Sequence, residues 1–259
     1  MKELARNLIA RIPGLRFWIA KRIFLGPHQS THRLWGVFPT LAKAKAHIPK
    51  GYEEEPTEKK LFEDFWEGVR EDDFPVVRIL GSLMPEIETI FDLGGNNGIC
   101  FYQYRTKITY PPGLKWTVCD VPEVNEAGRQ LAKKRGEPQL AFTDHREDGS
   151  GADVYLSTGT LQYLEDTLAE LLAPLKEKPK RVLINRVPMT GKSTFYSLQN
   201  NAHAVHPYYV PNHDSFVASI EALGYRLVEE WKNERACEII LRPDRFIRHF
   251  HGFYFVRKS

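Results

Sequence analysis

Between residues 89 and 186 short apolar runs alternate with helical patterns, and this alternation constrains the fold more than any other property of the chain. Thr89 to Leu93, Lys115 to Asp120, Leu140 to Thr143, Asp153 to Ser157 and Arg181 to Arg186 read as strands. Strands separated by helices are joined by crossovers and not by hairpins, so they predict a parallel sheet and an α/β, Rossmann-like fold class. In DSFVASIEALGY the residues Phe216, Val217, Ile220 and Leu223 share one helical face and Gly224 supplies a stop. From Leu227 onward RLVEEWKN, CEIIL and GFYFVRK read as strands with no helix between them, which predicts antiparallel pairing at the C-terminal end.

With 259 residues, 42% of them hydrophobic, the chain can bury the core of one such domain plus an elaboration. The elaboration is expected at the N-terminus, where the grammar differs. Residues 1 to 33 hold seven Lys and Arg against Glu3 alone, a net of +6, whereas the remainder holds 29 basic and 32 acidic residues. Leu4, Leu8 and Ile12, then Leu15, Ile19 and Ile23, recur at helical spacing, and Pro13 with Gly14 divides them into two short helices. GYEEEPTEKKLFEDFWEGVREDDFP, with Phe62, Phe65, Trp66 and Val69 at helical intervals, predicts a further helix lying on the main domain. Residues 1–75 are therefore read as a helical accessory segment and 76–259 as the main domain. The mixture of cations with Leu15, Trp18, Ile19 and Ile23 suits either a cap on that domain or peripheral contact with an anionic membrane surface. No apolar run approaches the roughly 20 residues of a membrane-spanning helix. The three cysteines, Cys100, Cys119 and Cys237, are odd in number and form no C-x-x-C, which fits a reducing cytoplasm and neither a disulfide framework nor a zinc knuckle. No nucleic-acid partner is expected.

The first strand of the sheet ends in Asp92 and runs into the glycine-rich loop of IFDLGGNNGICFY. Backbone N–H groups at such a turn, on the carboxyl edge of a parallel sheet, are where a nucleotide sits. A dinucleotide would bring a pyrophosphate, and a neighbouring carboxylate would repel it by several kcal/mol at low effective dielectric, on the order given by Coulomb's law. The glycines also fall at 94, 95 and 98, not as G-x-G-x-x-G, which disfavours a nicotinamide oxidoreductase. S-adenosylmethionine carries an ammonium and a sulfonium, so the same carboxylate attracts it. Asp120, ending the second strand, can accept from the hydroxyls of a ribose.

FDLGGNNG, followed by TVCDVPEV and DVYLSTGTLQYLED, resembles motifs I, II and IV of the class I S-adenosylmethionine-dependent methyltransferases. WGVFPTLAKAKA, LQYLED, LINRVPM, LQNNAHAVHPYYVPN and HGFYFVRK are similar to a bacterial family of methyltransferases found among surface-polysaccharide genes. The resemblance runs from about residue 34 to the end, and it implies a seven-stranded sheet whose last strand is antiparallel. It departs from D-x-G-x-G-x-G at Asn96, where the backbone must accept a side chain. Carried over by position, Asp92, Gly94, Gly95, Asn96 and Gly98 would line the methionine end of the cofactor, and Asp120 its ribose. Val121, Phe142 and Thr143 would line the adenine, while Ser157, Thr158 and Gly159 would face the sulfonium. The activity implied is O-methylation of a sugar or glycan precursor of a bacterial surface polysaccharide. A cofactor-fold subunit without catalysis, serving as a partner, is the alternative.

Methyl transfer needs alignment, and a hydroxyl acceptor also needs a base. The polar stretch from Arg186 to Asp214, after the fifth strand, is the expected acceptor wall, too irregular for core. Arg186, Gln199, Tyr208, Tyr209 and Asn212 are its candidate substrate-binding residues. His206, beside Pro207 and the two tyrosines, is the candidate base, with His203 as its rival. His203, His206 and His213 could instead hold a metal, but no carboxylate cluster or cysteine completes a set with them, so no metal is expected.

Overall fold

A computed structural model describes residues 13–26, 33–50, 52, 68–201 and 204–258. Its main sheet has seven strands: β2 (Thr89–Leu93), β3 (Lys115–Cys119), β4 (Leu140–Thr143), β5 (Val154–Thr158), β6 (Arg181–Pro188), β9 (Tyr225–Asn233) and β11 (Phe250–Arg257). They lie in the order β4-β3-β2-β5-β6-β11-β9. β2 pairs parallel with β3 and β5, β3 with β4 and β5 with β6, while β11 runs antiparallel to both β6 and β9. β5 is buried at every position, as a strand covered on both faces must be, whereas edge strand β9 exposes every second residue.

Helices cover both faces. On one side α3 (Phe74–Leu83), opened by Pro75, buries Val76, Ile79, Leu80 and Leu83, and α4 (Ile99–Tyr104) adds Phe101 and Tyr104 around Trp116. On the other, α6 (Leu168–Leu172) and α7 (His213–Glu221) pack Leu171, Leu172, Phe216 and Ile220 on Phe91, Tyr155, Phe253 and Phe255. α6 begins with a reciprocal Thr167–Glu170 capping box, and the Asn212 side chain caps α7 by accepting from Ser215 N–H at 2.9 Å. α5 (Pro122–Arg135) crosses from β3 to β4 and stops at Gly136 in the left-handed conformation.

A second, four-stranded sheet departs from the sequence-based expectations. Its order is β10-β1-β7-β8, from β1 (Arg33–Phe38), β7 (Phe195–Asn200), β8 (Val205–Val210) and β10 (Glu238–Ile239). The stretch after β6, expected as an irregular polar wall, is thus mostly a β-hairpin. Its polarity misled because the polar residues are buried with the apolar ones: β7 buries Ser197, Gln199 and Asn200 beside Phe195 and Leu198, and β8 buries Tyr208. CEIIL, expected as an antiparallel strand of the main sheet, contributes only Glu238–Ile239, which pair parallel with Arg33 and Leu34. Residues 33–38, within the segment read as helical, are a strand. Ahead of it, α1 (Pro13–Phe24) begins at the proline and lays Ala20 and Phe24 on Trp35, and α2 (Leu41–Lys45) follows with Ala44 in the same cluster. The proposed helix 1–12 lies outside the described residues, as do Phe62, Phe65 and Trp66, while Val69 packs against the first core cluster.

Candidate active site

The loop after β2 turns three times through left-handed backbone, at Gly94 (φ 70°), Asn96 (φ 53°) and Gly98 (φ 92°). Asparagine is among the few non-glycine residues that tolerate this region. A Cβ at Gly94 would stand 2.2 Å from Thr160 Cγ2, and one at Gly95 would stand 2.5 Å from Asp92 Oδ2. The second glycine therefore lets a carboxylate press against the underside of the loop. Asp92 is 1% exposed; its Oδ2 accepts from Trp116 Nε1 at 3.1 Å and its Oδ1 has no hydrogen-bond partner. Burial, reinforced by the charge of Asp120, pushes its pKa up to about 7. A fully desolvated carboxylate with an orphaned oxygen suits a cation placed nearby.

Asp120, at the end of β3, ties the loop to its neighbour: Oδ2 accepts from Asn96 N–H at 2.9 Å and Oδ1 from Val121 N–H at 2.8 Å.

Two cavities meet above this loop, of about 760 Å³ and about 380 Å³, both within the usual range for small-molecule sites. The larger is bordered by Asp120, Val121, Pro122, Asp144 and His206, the smaller by Arg70, Thr158, Gly159, Arg186 and Tyr208. Gly94, Asn96, Thr160, Tyr163 and Gln199 border both, so the two form one cleft between the main sheet's carboxyl edge and the β7–β8 hairpin. Tyr163, just beyond β5, donates its hydroxyl to Gln199 Oε1 at 2.9 Å and meets the Tyr208 ring edge-on at 5.4 Å, joining the wall to the sheet.

Beneath the smaller cavity lies a buried polar hub. Asn185 Nδ2 donates to Asp72 O and Asp73 Oδ1, both at 2.8 Å, and Asn185 Oδ1 accepts from Trp231 Nε1 and Asn233 Nδ2. Arg186, left-handed at φ 59°, donates Nη2 to Thr158 Oγ1 at 2.9 Å with its Nε 3.5 Å from Asp73. Arg235 pairs with Asp72. The hub holds Arg186 from β6 and Arg235 from beyond β9 at the opening that Arg70 also borders.

No protein-family model matches the sequence, and no curated protein matches it. Solved structures do. A 1,6-didemethyltoxoflavin N1-methyltransferase from Burkholderia thailandensis, bound to S-adenosylhomocysteine, is similar over 73% of this chain and 79% of its own, with a TM-score of 0.51 at 17% identity. An S-adenosylmethionine-dependent methyltransferase from Methanosarcina mazei matches 69% of this chain and 96% of its own, with a TM-score of 0.51 at 13% identity. The N-terminal domain of EvdMO1, crystallised with S-adenosylhomocysteine and D-fucose, matches 78% and 94%, with a TM-score of 0.50 at 13% identity. The chain has the class I methyltransferase fold. The reversed β11 between β6 and β9 is the antiparallel strand that the resemblance implied.

On this methyltransferase fold, Gly94, Gly95, Asn96, Asp120, Val121, Thr158, Gly159, Arg186, Gln199, Tyr208 and His206 all border the cleft. Other candidates lie elsewhere. Asp92 sits under the loop, and Gly98 is the N-cap of α4. Ser157 is fully buried and donates to Leu93 O, and Thr143 donates to Asp148 Oδ2. Phe142 turns onto α5, where a Cβ at Gly128 would meet its ring at 2.2 Å. Tyr209 packs against Tyr196, with the rings tilted, on the hairpin's other face, because neighbours on a strand point oppositely, and Asn212 is committed to capping α7. His203 lies outside the described residues. The sequence reading missed Arg70, Thr160, Tyr163, Arg235 and Phe250. Thr160 and Tyr163 follow directly on the assigned edge of β5 and could have been included. Arg235 and Phe250 carry no local signal, since only the strand directions bring the end of β9 and the start of β11 to the same edge.

Proposed function

We propose that this chain is an S-adenosylmethionine-dependent O-methyltransferase acting on a sugar or glycan precursor of a bacterial surface polysaccharide. The observation that carries the cofactor half is the pair of carboxylates around the glycine loop: Asp92 buried against Gly95 with an orphaned oxygen, and Asp120 at the cleft rim. Gly94, Gly95 and Asn96 would hold the methionine end, with Asp92 acting through the loop, while Asp120 would hold the ribose and Val121 one face of the adenine. When bound, S-adenosylmethionine supplies an electrophilic methyl on a sulfonium. The protein's own work is to align an acceptor and take its proton. Asp120→Ala should weaken cofactor binding by about 1 to 3 kcal/mol by removing charge-assisted hydrogen bonds. Calorimetry reads this directly, and an unchanged affinity removes Asp120 from the site.

His206 is the one histidine among the described residues bordering the cleft, and its Nε2 lies 3.3 Å from Asn201 Nδ2. Acting as base, it makes His206→Ala lower turnover by about 10² or more with cofactor affinity retained. Turnover that survives moves the role to another group. The sugar reading is supported by the resemblance to polysaccharide-gene methyltransferases and by the polar wall of Gln199, Tyr163 and Tyr208. It is tested by product analysis with labelled cofactor against nucleotide sugars and lipid-linked glycans. Methylation of none of them ends the sugar reading, and failure to bind S-adenosylmethionine ends the enzyme reading.

Peripheral membrane contact belongs to the same proposal. Among the described residues no helix is long and apolar enough to cross a membrane. α1 keeps Ala20 and Phe24 on Trp35 but exposes Leu15 (45%) and Trp18 (65%) on the side that carries Arg22. Full-length protein should sediment with anionic vesicles at low salt and release at high salt, each basic residue near the surface contributing about 1 kcal/mol. Absence of retention assigns α1 to packing alone.

A further inference from the structure

Away from the cleft, on the face of the main sheet covered by α7, three side chains from three elements converge. His213 begins α7, Glu230 lies on β9 and His251 on β11. Glu230 Oε1 is 2.9 Å from His213 Nε2 and 2.6 Å from His251 Nδ1, and all three atoms lie within 4.8 Å of one another. This is the one grouping of its kind among the described residues, and it shares only His213 with the trio considered from sequence.

We propose that His213, Glu230 and His251 form a binding site for a divalent transition-metal cation of the zinc class, which clips α7 to β9 and β11.

The case rests on geometry and donor chemistry. His213 stands between two carboxylates, with Asp214 2.8 Å from Nδ1 and Glu230 2.9 Å from Nε2. Nε2 therefore faces Glu230 at 2.9 Å, a contact that either a proton or a bound cation can bridge. A carboxylate on the far nitrogen of a liganding histidine is also the usual outer-shell support of a metal site. Two imidazoles and a carboxylate are a donor set for zinc and its neighbours, with a position left for water. Asp214 and Glu230 bring two carboxylates to the two imidazoles, a charge that a dication can balance, and exposed Lys232 is the facing cation on β9. The donors need to part by about half an ångström to stand about 2.0 to 2.2 Å from an ion. Phe253 floors the site, its centroid 5.9 Å from His213 and 6.0 Å from His251, while side-chain exposures of 29%, 27% and 13% leave an entry from solvent.

The experiment is zinc titration of chelator-stripped full-length protein by calorimetry, with cobalt as a spectroscopic probe. One zinc per chain is expected, with cobalt giving the visible bands of a nitrogen and oxygen site. Glu230→Gln, which keeps the shape of the side chain, and His251→Ala should each weaken zinc binding at least tenfold. The control His145→Ala, at an exposed histidine, should not. Zinc should raise the thermal midpoint of the wild type and leave that of Glu230→Gln in place, which separates lost binding from lost folding. No stoichiometric zinc, or zinc bound equally by Glu230→Gln and His251→Ala, overturns the proposal and leaves a proton as the cation between the two acceptors. Neither result depends on whether the cleft binds S-adenosylmethionine.

Discussion

Asp92→Asn is expected to weaken S-adenosylmethionine binding by about a hundredfold while making the cofactor-free protein more stable at neutral and alkaline pH. Both effects come from one buried carboxyl. In the free protein burial lifts its pKa from 3.8 to about 7, so ionising it opposes folding. A group whose folded pKa is raised gives stability that is full below the unfolded value and lost as pH rises through the folded one. The window therefore runs from about pH 4 to about pH 7. At 1.36 kcal/mol per unit, the wild type gives up on the order of 4 kcal/mol across it, and the neutral amide does not. A cationic ligand reverses the balance, because it binds the ionised form. Wild-type affinity should climb with pH and level off above about pH 7, while Asp92→Asn should bind weakly and show no slope. A hundredfold is about 2.7 kcal/mol, within the range of a hydrogen bond to a charged group. Calorimetry between pH 5 and pH 8 decides it, and a flat wild-type profile would remove Asp92 from cofactor recognition.

Asn185→Leu should cost the fold about 3 to 5 kcal/mol, the largest loss expected from one side chain. Asn185 is fully buried and makes four hydrogen bonds, to Asp72, Asp73, Trp231 and Asn233. Leucine fills the volume but leaves the Trp231 and Asn233 donors unmet and strips a partner from Asp73, itself 1% exposed. Orphaned buried donors cost about 1 to 3 kcal/mol each, and an uncompensated buried carboxylate more. For a chain of this length that is a fall of roughly 10 °C in thermal midpoint. A fall of one or two degrees would show that water satisfies the freed donors, and that the hub is not what positions Arg186 and Arg235.

The parallel strands, α7 and the glycine loop were legible because each is written in local periodicity. Continuous apolar runs mark doubly covered strands, Phe216 and Ile220 mark a helix face, and Asp92, two residues before Gly94, puts a carboxylate beneath the glycine turn. The second sheet was not legible. β1, β7, β8 and β10 come from distant parts of the chain and are short; β1 and β7 pack on both faces, and β7 and β8 mix buried apolar residues with polar ones such as Gln199 and His206 that border the cleft. Such strands look like loops until their partners are known.

Local sequence thus determined the class of sheet, the glycine turn at its edge and the sign of the charge beneath that turn, because those depend on residues within a few positions of one another. Tertiary structure alone decided which side chains reach the cleft. Tyr208 faces it and Tyr209 does not because a hairpin alternates. Arg235 and Phe250 arrive because β9 ends and β11 begins at the same edge. Glu230 meets His213 and His251 because α7 packs across those two strands. Contacts between residues far apart in the chain are set by strand order and register, and neither is encoded within any single stretch.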